Sequence, residues 1–408
     1  MKLHKLLAVL FALALFATAC GSTATTAADD TPDDSAAPAD DDGAADDDGA
    51  ADDDGAADDD GAADDDGAAD DDGAADEPVE FQDVTMLVVN NMAHLPAFVA
   101  NEFGLWPDRG LNVDLQTLGS GADIAAGLQS GQAEFGGVNA GTGVAPQRAG
   151  GLLTKLVAPY NNDALNAQYV DWIHIVGRAD SGASEDPGSI EGLTVGVTGG
   201  GTPRAYLRAF LGENGLTEDD IEIIALGAPD MVPAIVNGEV DVIVPFSPFH
   251  ESAARQLGDN AVTISAGEPL VSSQIGLGAV DGQLDADPET FTAFIEGIVE
   301  ATYIIRQDPD SAAEIVLSFI EGITLEDAQA ALANNTYDPR VSVCTEYGVE
   351  QTAADLIESG AVESDTAFLA SDLIDTSLLQ GIIDDNPQWV EDLPPLPATV
   401  EECNGLGG

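Results

Sequence analysis

The chain has 408 residues, and its 75 acidic residues face only 11 lysines and arginines, so the formal net charge is −64 at pH 7. Residues 29–80 hold 25 of the acids and no base, and residues 81–408 still carry a net charge of about −41. So acidic a surface repels phosphate backbones and anionic headgroups, which excludes proteins that dock on nucleic acid or on anionic membranes through basic patches.

The first twenty residues have the pattern of an export signal. Lys2 and Lys5 precede an apolar run, residues 6–16, that is too short to span a bilayer. The small residues before Cys20 resemble the processing site of bacterial lipoproteins, in which the cysteine takes the lipid. We therefore predict a lipoprotein signal peptide over residues 1–19 and a lipid anchor at Cys20. The alternative is an ordinary secretory signal with an incidental cysteine.

Residues 20–80 predict a disordered, aspartate-rich tether. The sequence DDDGAA occurs six times over residues 40–75, without any aromatic or branched side chain. Such a segment cannot bury enough apolar area to offset the entropy lost on folding, and its adjacent carboxylates extend it by repulsion. Aspartate clusters also bind calcium, but this repeat lacks apolar residues that would fold around an ion, so we favour a spacer.

The next elements alternate between strand and helix, which predicts a parallel α/β sheet. Apolar residues at helical spacing end at Gly104, and an alternating run with one buried face follows Gly110. A second helix begins near Asp123 and stops at Gly131. The predicted strands of this first part are residues 85–90, 111–115, 135–138 and 152–159, the last leading to a segment at 172–178.

The remaining pattern predicts two lobes, because about 325 ordered residues are too many for one small core. The turn-rich residues 180–188 are interpreted as the entry into a second lobe, and residues 273–280 as the strand that returns. The first lobe is therefore predicted to comprise residues 81–179 and 270–408, and the second lobe residues 180–269. Further strands are predicted at 194–198, 221–225, 240–244 and 262–265, and helices at 203–215, 230–237, 247–257, 288–306, 309–320 and 324–334.

Residues 97–138 also carry a specific resemblance. The pattern A…FGL….GL.V.L…..G.DIA..L.SGQAEFG resembles the first lobe of solute-binding proteins of ABC importers in the nitrate, taurine, alkanesulfonate and thiamine-pyrimidine group. The resemblance continues at residues 193–199, 207–216 and 234–244. It implies an α/β fold of the type II periplasmic-binding-protein class, with two lobes, a hinge and a ligand cleft. It also implies a permease in the membrane as the partner.

Ligands of open α/β sheets bind at the carboxyl ends of the strands, which here precede four loops and one crossing. In the loop of Gly199, Gly200 and Gly201, backbone amides can approach an anion, with Thr202 as the predicted helix N-cap and Arg204 adding charge. His94 is either a solvated loop residue or a ligand contact, and Phe246 and Phe249 either form an aromatic wall or pack the lobe. The predicted ligand-binding residues are Asn90, Asn91, His94, Asn139, Thr142, Tyr160, Gly199, Gly200, Gly201, Thr202, Arg204, Phe246, Ser247 and Phe249.

Two cysteines follow Cys20, namely Cys344 and Cys403. In an exported protein such a pair predicts a disulfide that ties the C-terminal tail to the region around residue 344, the alternative being two buried free thiols. His174 lies in an apolar run and is predicted to be a core histidine.

No motif of a hydrolase, metalloprotease or nucleotide-binding enzyme occurs, and no local pattern relates a histidine to a nucleophile. The cysteine-rich iron motif of pyrimidine-synthesising enzymes with this fold is also missing. We therefore predict a monomeric binding protein without metal or cofactor, on the outer face of the cell membrane, that captures a small anionic or heteroaromatic solute and delivers it to a permease. The alternative is a tethered receptor or adhesin that is not coupled to import.

Overall fold

The structure is a computed structural model, and it describes residues 81–168, residues 170–404 and Leu406. The predicted signal peptide, the lipidation of Cys20 and the tether over residues 20–80 lie outside the described residues. Among the described helices, none combines the length and the apolar character that crossing a bilayer requires.

Ten strands and thirteen α-helices occur in the described residues. The strands are β1 (Gln82–Val89), β2 (Leu111–Leu118), β3 (Phe135–Asn139), β4 (Thr154–Asn161), β5 (His174–Arg178), β6 (Thr194–Val197), β7 (Glu222–Ala225), β8 (Val242–Ile243), β9 (Ala261–Ala266) and β10 (Ile275–Val280). The helices are α1 (Leu95–Glu102), α2 (Gly121–Ser130), α3 (Ala145–Ala149), α4 (Thr202–Glu213), α5 (Ala228–Asn237), α6 (Phe249–Leu257), α7 (Gln283–Ala286), α8 (Pro288–Gln307), α9 (Pro309–Phe319), α10 (Leu325–Ala333), α11 (Val343–Glu358), α12 (Ala370–Leu373) and α13 (Leu379–Asp385).

The strands form two five-stranded sheets with the same arrangement. The first has the order β2-β1-β3-β10-β4, and the second has the order β7-β6-β8-β5-β9. In each sheet the first three strands are parallel, and the fourth is antiparallel to both of its neighbours. The fourth strand is β10 in one sheet and β5 in the other, and each has just crossed from the opposite sheet. The chain is thus a two-lobe α/β protein, as the sequence predicts.

The first crossing lies earlier in the chain than predicted. The sequence places residues 172–178 in the first lobe, but β5 pairs with β8 and β9 of the second sheet. The turn-rich residues 180–188 are a connection within the second lobe and do not mark its entry. The return strand β10 belongs to the first sheet, where the sequence predicts it.

The first lobe has an aromatic centre beneath its sheet. Phe135 of β3 stacks on Phe294 of α8 at a centroid distance of 4.0 Å, and Trp106 stacks on Phe294 at 4.7 Å. The indole of Trp106 donates to the carbonyl oxygen of Phe294 at 3.1 Å, so this buried N–H is satisfied. A side chain at Gly297 would overlap the Trp106 ring, which explains a glycine inside α8.

The C-terminal region packs against the first lobe and bears a disulfide. Helix α11 begins after Ser342, whose hydroxyl accepts from the backbone N–H groups of Cys344 and Thr345. Cys344 and Cys403 are joined through their sulfur atoms with a Cα–Cα distance of 5.6 Å, and this is the pair that the sequence predicts to be bridged. The tail is therefore tied to the first turn of α11.

Candidate functional site

A cavity of about 450 Å³ lies between the two lobes. Its walls follow the carboxyl ends of five parallel strands, β1, β2 and β3 of the first sheet and β6 and β8 of the second. Trp172, at the crossing that leads into β5, and Ile275, at the start of β10, complete it near the hinge. Leu356 near the end of α11 and Val362, which follows that helix, cover one side.

Asn139 organises the first-lobe wall. Its side-chain oxygen accepts from the backbone N–H groups of Gly141 and Thr142 at 3.1 Å each, which holds the turn after β3. Its amide nitrogen donates to Ser273 at 2.8 Å and to Thr202 of the second lobe at 3.2 Å. One side chain therefore connects the turn, the segment that leads into β10 and the opposite lobe.

Thr202 closes the cavity by bonding across it. Its hydroxyl lies 2.7 Å from that of Thr142, so the lobes are in direct contact and the structure represents a closed state. The prediction that Thr202 is the N-cap of α4 is wrong. Gly201, with φ 79°, occupies the cap position, and the Thr202 side chain makes no capping bond because it is engaged by the first lobe.

The second-lobe wall presents backbone and positive charge. Side chains built at Gly199 or Gly200 would meet no atom within 4 Å, so this loop faces open space. In the first two turns of α4, Arg204 and Arg208 donate through Nε to one oxygen of Glu218, at 2.5 and 2.9 Å. Burial opposes ionisation of Glu218, but these two hydrogen bonds outweigh it and hold its pKa below the usual value. Two guanidinium groups thus share one carboxylate and leave a net positive charge at the wall.

His94 is buried, which differs from the solvated loop residue considered from the sequence. It is 4% exposed at the start of α1, and its Nδ1 lies 2.8 Å from Oδ1 of Asn91. Burial lowers the pKa of His94 to about 3, against the opposing effect of the Gly137 carbonyl, so the imidazole is neutral near pH 7. A side chain at Gly137 would overlap this ring, hence the glycine in β3.

The predicted residues divide into two groups. The cavity is lined by ten of them, which are Asn91, His94, Asn139, Thr142, Gly199, Gly200, Gly201, Thr202, Arg204 and Phe246. The other four, Asn90, Tyr160, Ser247 and Phe249, do not line it. Tyr160 lies behind His94 with an edge-on ring contact of 5.9 Å. Phe249 packs edge-on against Phe246 at 5.7 Å, so one phenylalanine lines the cavity and the other supports it.

Ser247 belongs to a separate buried cluster. Its hydroxyl lies 2.8 Å from Nε2 of His250 and donates to Glu251 at 3.0 Å, a serine–histidine contact that no local pattern in the sequence revealed. His174, which is only half-buried and not a full core residue, stacks on His250 at 3.8 Å. Ser247 is 1% exposed and does not line the cavity, so this cluster offers no nucleophile to a solute.

Several cavity residues were missed from the sequence. Gly119 and Ser120 follow β2, and Gly121 begins α2, so the rule that selected the other loops would have found this turn. Arg208 is one helical turn beyond Arg204, and its positive charge could have selected it for the same reason as Arg204. No local sequence pattern indicates Trp172 or Leu356, because only the tertiary fold brings them to the cavity. Across the residues that the structure describes, no group of three histidine, cysteine or acidic side chains is placed to hold a metal ion.

Comparisons with known proteins identify the family. The profile of the family described as NMT1/THI5 like matches residues 91–312. A provisionally named binding protein of Brucella abortus is 23% identical over 233 residues, which cover 55% of this chain and 66% of that protein, slightly less than two thirds of its length.

Solved structures share the fold. A protein from Bordetella bronchiseptica superposes with a TM-score of 0.65 at 18% identity, over 76% of this chain and 99% of that one. The alkanesulfonate-binding protein SsuA of Xanthomonas axonopodis, bound to MOPS, gives 0.61 at 16% identity over 72% and 98% of the two chains. The nitrate-binding protein NrtA of Synechocystis gives 0.61 at 13% identity over 79% and 92%. The chain belongs to the NMT1/THI5-like family and has the two-lobe fold of periplasmic binding proteins.

Proposed function

We propose that this chain is the extracytoplasmic solute-binding component of an ABC importer, and a binding protein rather than an enzyme. The observation that carries the proposal is the closed cavity between two lobes, walled by the carboxyl ends of strands and bridged by Thr142 and Thr202. A solute held there is released only when the lobes separate, and a permease that distinguishes closed from open lobes makes transport directional.

The walls favour a small anionic or heteroaromatic solute. The glycine loop before α4 and the first turn of α2 offer backbone N–H groups, and Arg204 and Arg208 add positive charge. Trp172 and Phe246 supply aromatic surface. Sulfonates, taurine, nitrate and thiamine-precursor pyrimidines fit this description, and two structural relatives are named for binding alkanesulfonate and nitrate.

A binding screen with a matched pair of glycine variants tests this function. Isothermal titration against nitrate, taurine, propanesulfonate, MOPS and a hydroxymethylated aminopyrimidine should find one solute that binds, and X-ray scattering should show a smaller radius of gyration with it. Gly200→Leu should weaken binding at least tenfold, about 1.4 kcal/mol, because the side chain fills the space that the solute needs. Gly212→Leu, also in open space but on the exposed side of α4, is the control. Turnover of a substrate without stable binding would refute the proposal.

Membrane anchoring and import are tested in cells. If Cys20 carries the lipid, the protein should sediment with membranes, and Cys20→Ala should release it or stall its processing. Deleting the gene should abolish high-affinity uptake of the solute that the purified chain binds. Unchanged uptake would contradict import and favour the tethered receptor.

A further inference from the structure

Trp172 occupies a distinctive position in the cavity. It is 2% exposed, it lines the cavity, and its carbonyl oxygen accepts from the backbone N–H of Ser247 at 2.9 Å. Its ring lies 6.1 Å from that of Phe246, inclined by 55°. The residue therefore sits at the crossing between the lobes and forms one wall together with Phe246.

The indole N–H of Trp172 is buried and has no hydrogen-bond partner among the described residues. Buried tryptophan N–H groups normally find an acceptor, as Trp106 does with the carbonyl oxygen of Phe294. An unpaired buried donor costs free energy, and an acceptor brought by a ligand would remove that cost.

Two arginines that also line the cavity are donors as well. Arg204 and Arg208 use Nε to bind Glu218, and their terminal nitrogens have no hydrogen bond among the described residues. Donors from the indole and the guanidinium groups require a solute that is rich in acceptors. The cavity volume, about 450 Å³, also exceeds what an ion as small as nitrate would fill.

We propose that Trp172 determines specificity by donating its indole N–H to an oxygen or nitrogen acceptor of the solute, while its ring and that of Phe246 hold the solute's organic body. This inference rests on the proposed function. It predicts preference for an organic anion with additional acceptor atoms, such as MOPS, over nitrate.

Titration of the full chain with nitrate, taurine, propanesulfonate, MOPS and a hydroxymethylated aminopyrimidine tests the inference. Trp172→Phe keeps an aromatic ring and removes the donor, and it should weaken binding of the tightest probe at least fivefold. Trp389→Phe, whose ring lies outside the cavity, is the control and should bind like the wild type. If Trp172→Phe binds every probe within twofold of the wild type, the inference fails and the proposed function stands. If the wild type binds none of the probes, the inference and the proposed function both fail.

A second measurement needs no substitution at residue 172. In protein labelled with ¹⁵N at the indole nitrogens, the three tryptophans give three N–H signals. Trp389→Phe identifies one signal and Trp106→Phe identifies a second, so the remaining signal belongs to Trp172. Adding the tightest probe should shift the remaining signal downfield and slow its exchange. An unchanged Trp172 signal at saturation would overturn the inference.

Discussion

Glu251 on α6 has a carboxyl group in an unusual environment. It accepts from Ser247 and Asn334, and its second oxygen lies 3.3 Å from Nδ1 of His250. Burial raises the pKa of Glu251 to about 7, and nearby Asp327 adds to the effect. Burial also lowers the pKa of His250 well below its usual value, and His174 adds to that shift. The cluster is therefore largely uncharged in mildly acidic solution.

The raised pKa of Glu251 predicts a pH-dependent stability. Between pH 4.5 and 7 the native carboxyl keeps a proton that the unfolded chain releases, so raising the pH through this range destabilises the native state by roughly 3 kcal/mol. Glu251→Gln should lose this dependence. Urea unfolding at pH 4.5 and at pH 8 measures this. The free energy of unfolding of the wild type minus that of the variant should be smaller at pH 8 by that amount.

Comparing the pH-dependent stability of the wild type with that of Glu251→Gln separates the effect of this carboxyl group from the effects of the histidines. His94, His174 and His250 have lowered pKa values, so they act in the opposite direction and remove stability as the pH falls below about 6.5. They are present in both proteins. Glu321→Gln, at an exposed position, serves as the control substitution. A difference that does not change with pH would show that Glu251 is ionised in the native state.

Individual cavity residues were predictable where a local rule applied. Strand ends followed by glycine or asparagine led to Asn139 and to the loop of Gly199–Gly201, which line the cavity. The role of Thr202 was not predictable, because an N-cap is a local preference and its actual partner, Thr142, is 60 residues away. Trp172 was interpreted as part of an apolar strand, since nothing in its neighbours indicates an unpaired N–H.

Among the secondary-structure elements, α6 and α10 join the lobes at a second place outside the cavity. Arg255 of α6 forms an ion pair with Asp327 of α10, with Nη2–Oδ2 at 2.8 Å, and Asp327 is 3% exposed. The Glu251–Asn334 hydrogen bond at 3.2 Å lies on the same face. These contacts connect the two lobes in the closed state.

Breaking this ion pair should favour the open state. Arg255→Met removes the positive partner of Asp327, whose carboxylate then keeps the hydrogen bond from the backbone N–H of Thr324 but loses the ion pair that connects the two lobes. We expect solute affinity to fall about fivefold, close to 1 kcal/mol, and the radius of gyration without solute to increase.

Arg178→Met is the matched control, because Arg178 pairs with Asp180 of the same lobe and at the surface. Titration and X-ray scattering on the two variants and the wild type provide the measurements. Equal affinity and equal dimensions in all three proteins would contradict a role for α6 and α10 in closure.

The disulfide should stabilise the C-terminal elements. It closes a loop of 59 residues, so the chain-entropy relation predicts that the double variant Cys344→Ala/Cys403→Ala loses about 4 kcal/mol of unfolding free energy. Denaturant unfolding of the wild type with and without reductant provides the comparison. Solute affinity should not change, because neither cysteine lines the cavity. A loss below about 1 kcal/mol would show that the tail contributes little.

The regular elements were largely predictable and the C-terminal ones were not. The spacing of apolar residues predicts the bounds of β1 to β4 and of α8 to α10 within a few residues. Helix α11 has a capping signal at Ser342, which makes its start predictable from the sequence. Helices α12 and α13 have four and seven residues and form only by packing on the first lobe. Assigning β5 to the second sheet required its pairing with β9, which no local pattern encodes.

At the scale of the whole molecule, two sheets of identical arrangement exchange one strand each and meet at the cavity. The crossings before β5 and β10 connect them, and the lobes also touch at Thr142–Thr202 and at α6–α10. Two crossings permit a hinge motion, since few dihedral angles need to change while both sheets stay intact. In the proposed function, a ligand in the cavity contacts both lobes and thereby controls their separation.

A reversible lock between the lobes tests this motion directly. The hydroxyl oxygens of Thr142 and Thr202 are 2.7 Å apart, so Thr142→Cys/Thr202→Cys places two thiols in contact when the lobes close. Oxidation with the solute bound should slow its dissociation at least tenfold, because the cavity opens only by separating the lobes. Oxidation before the solute is added should block its binding. Reduction should restore exchange, and the wild type treated with the same reductant controls for loss of the Cys344–Cys403 disulfide. If the oxidised variant exchanges solute as fast as the reduced one, the solute does not bind between these lobes.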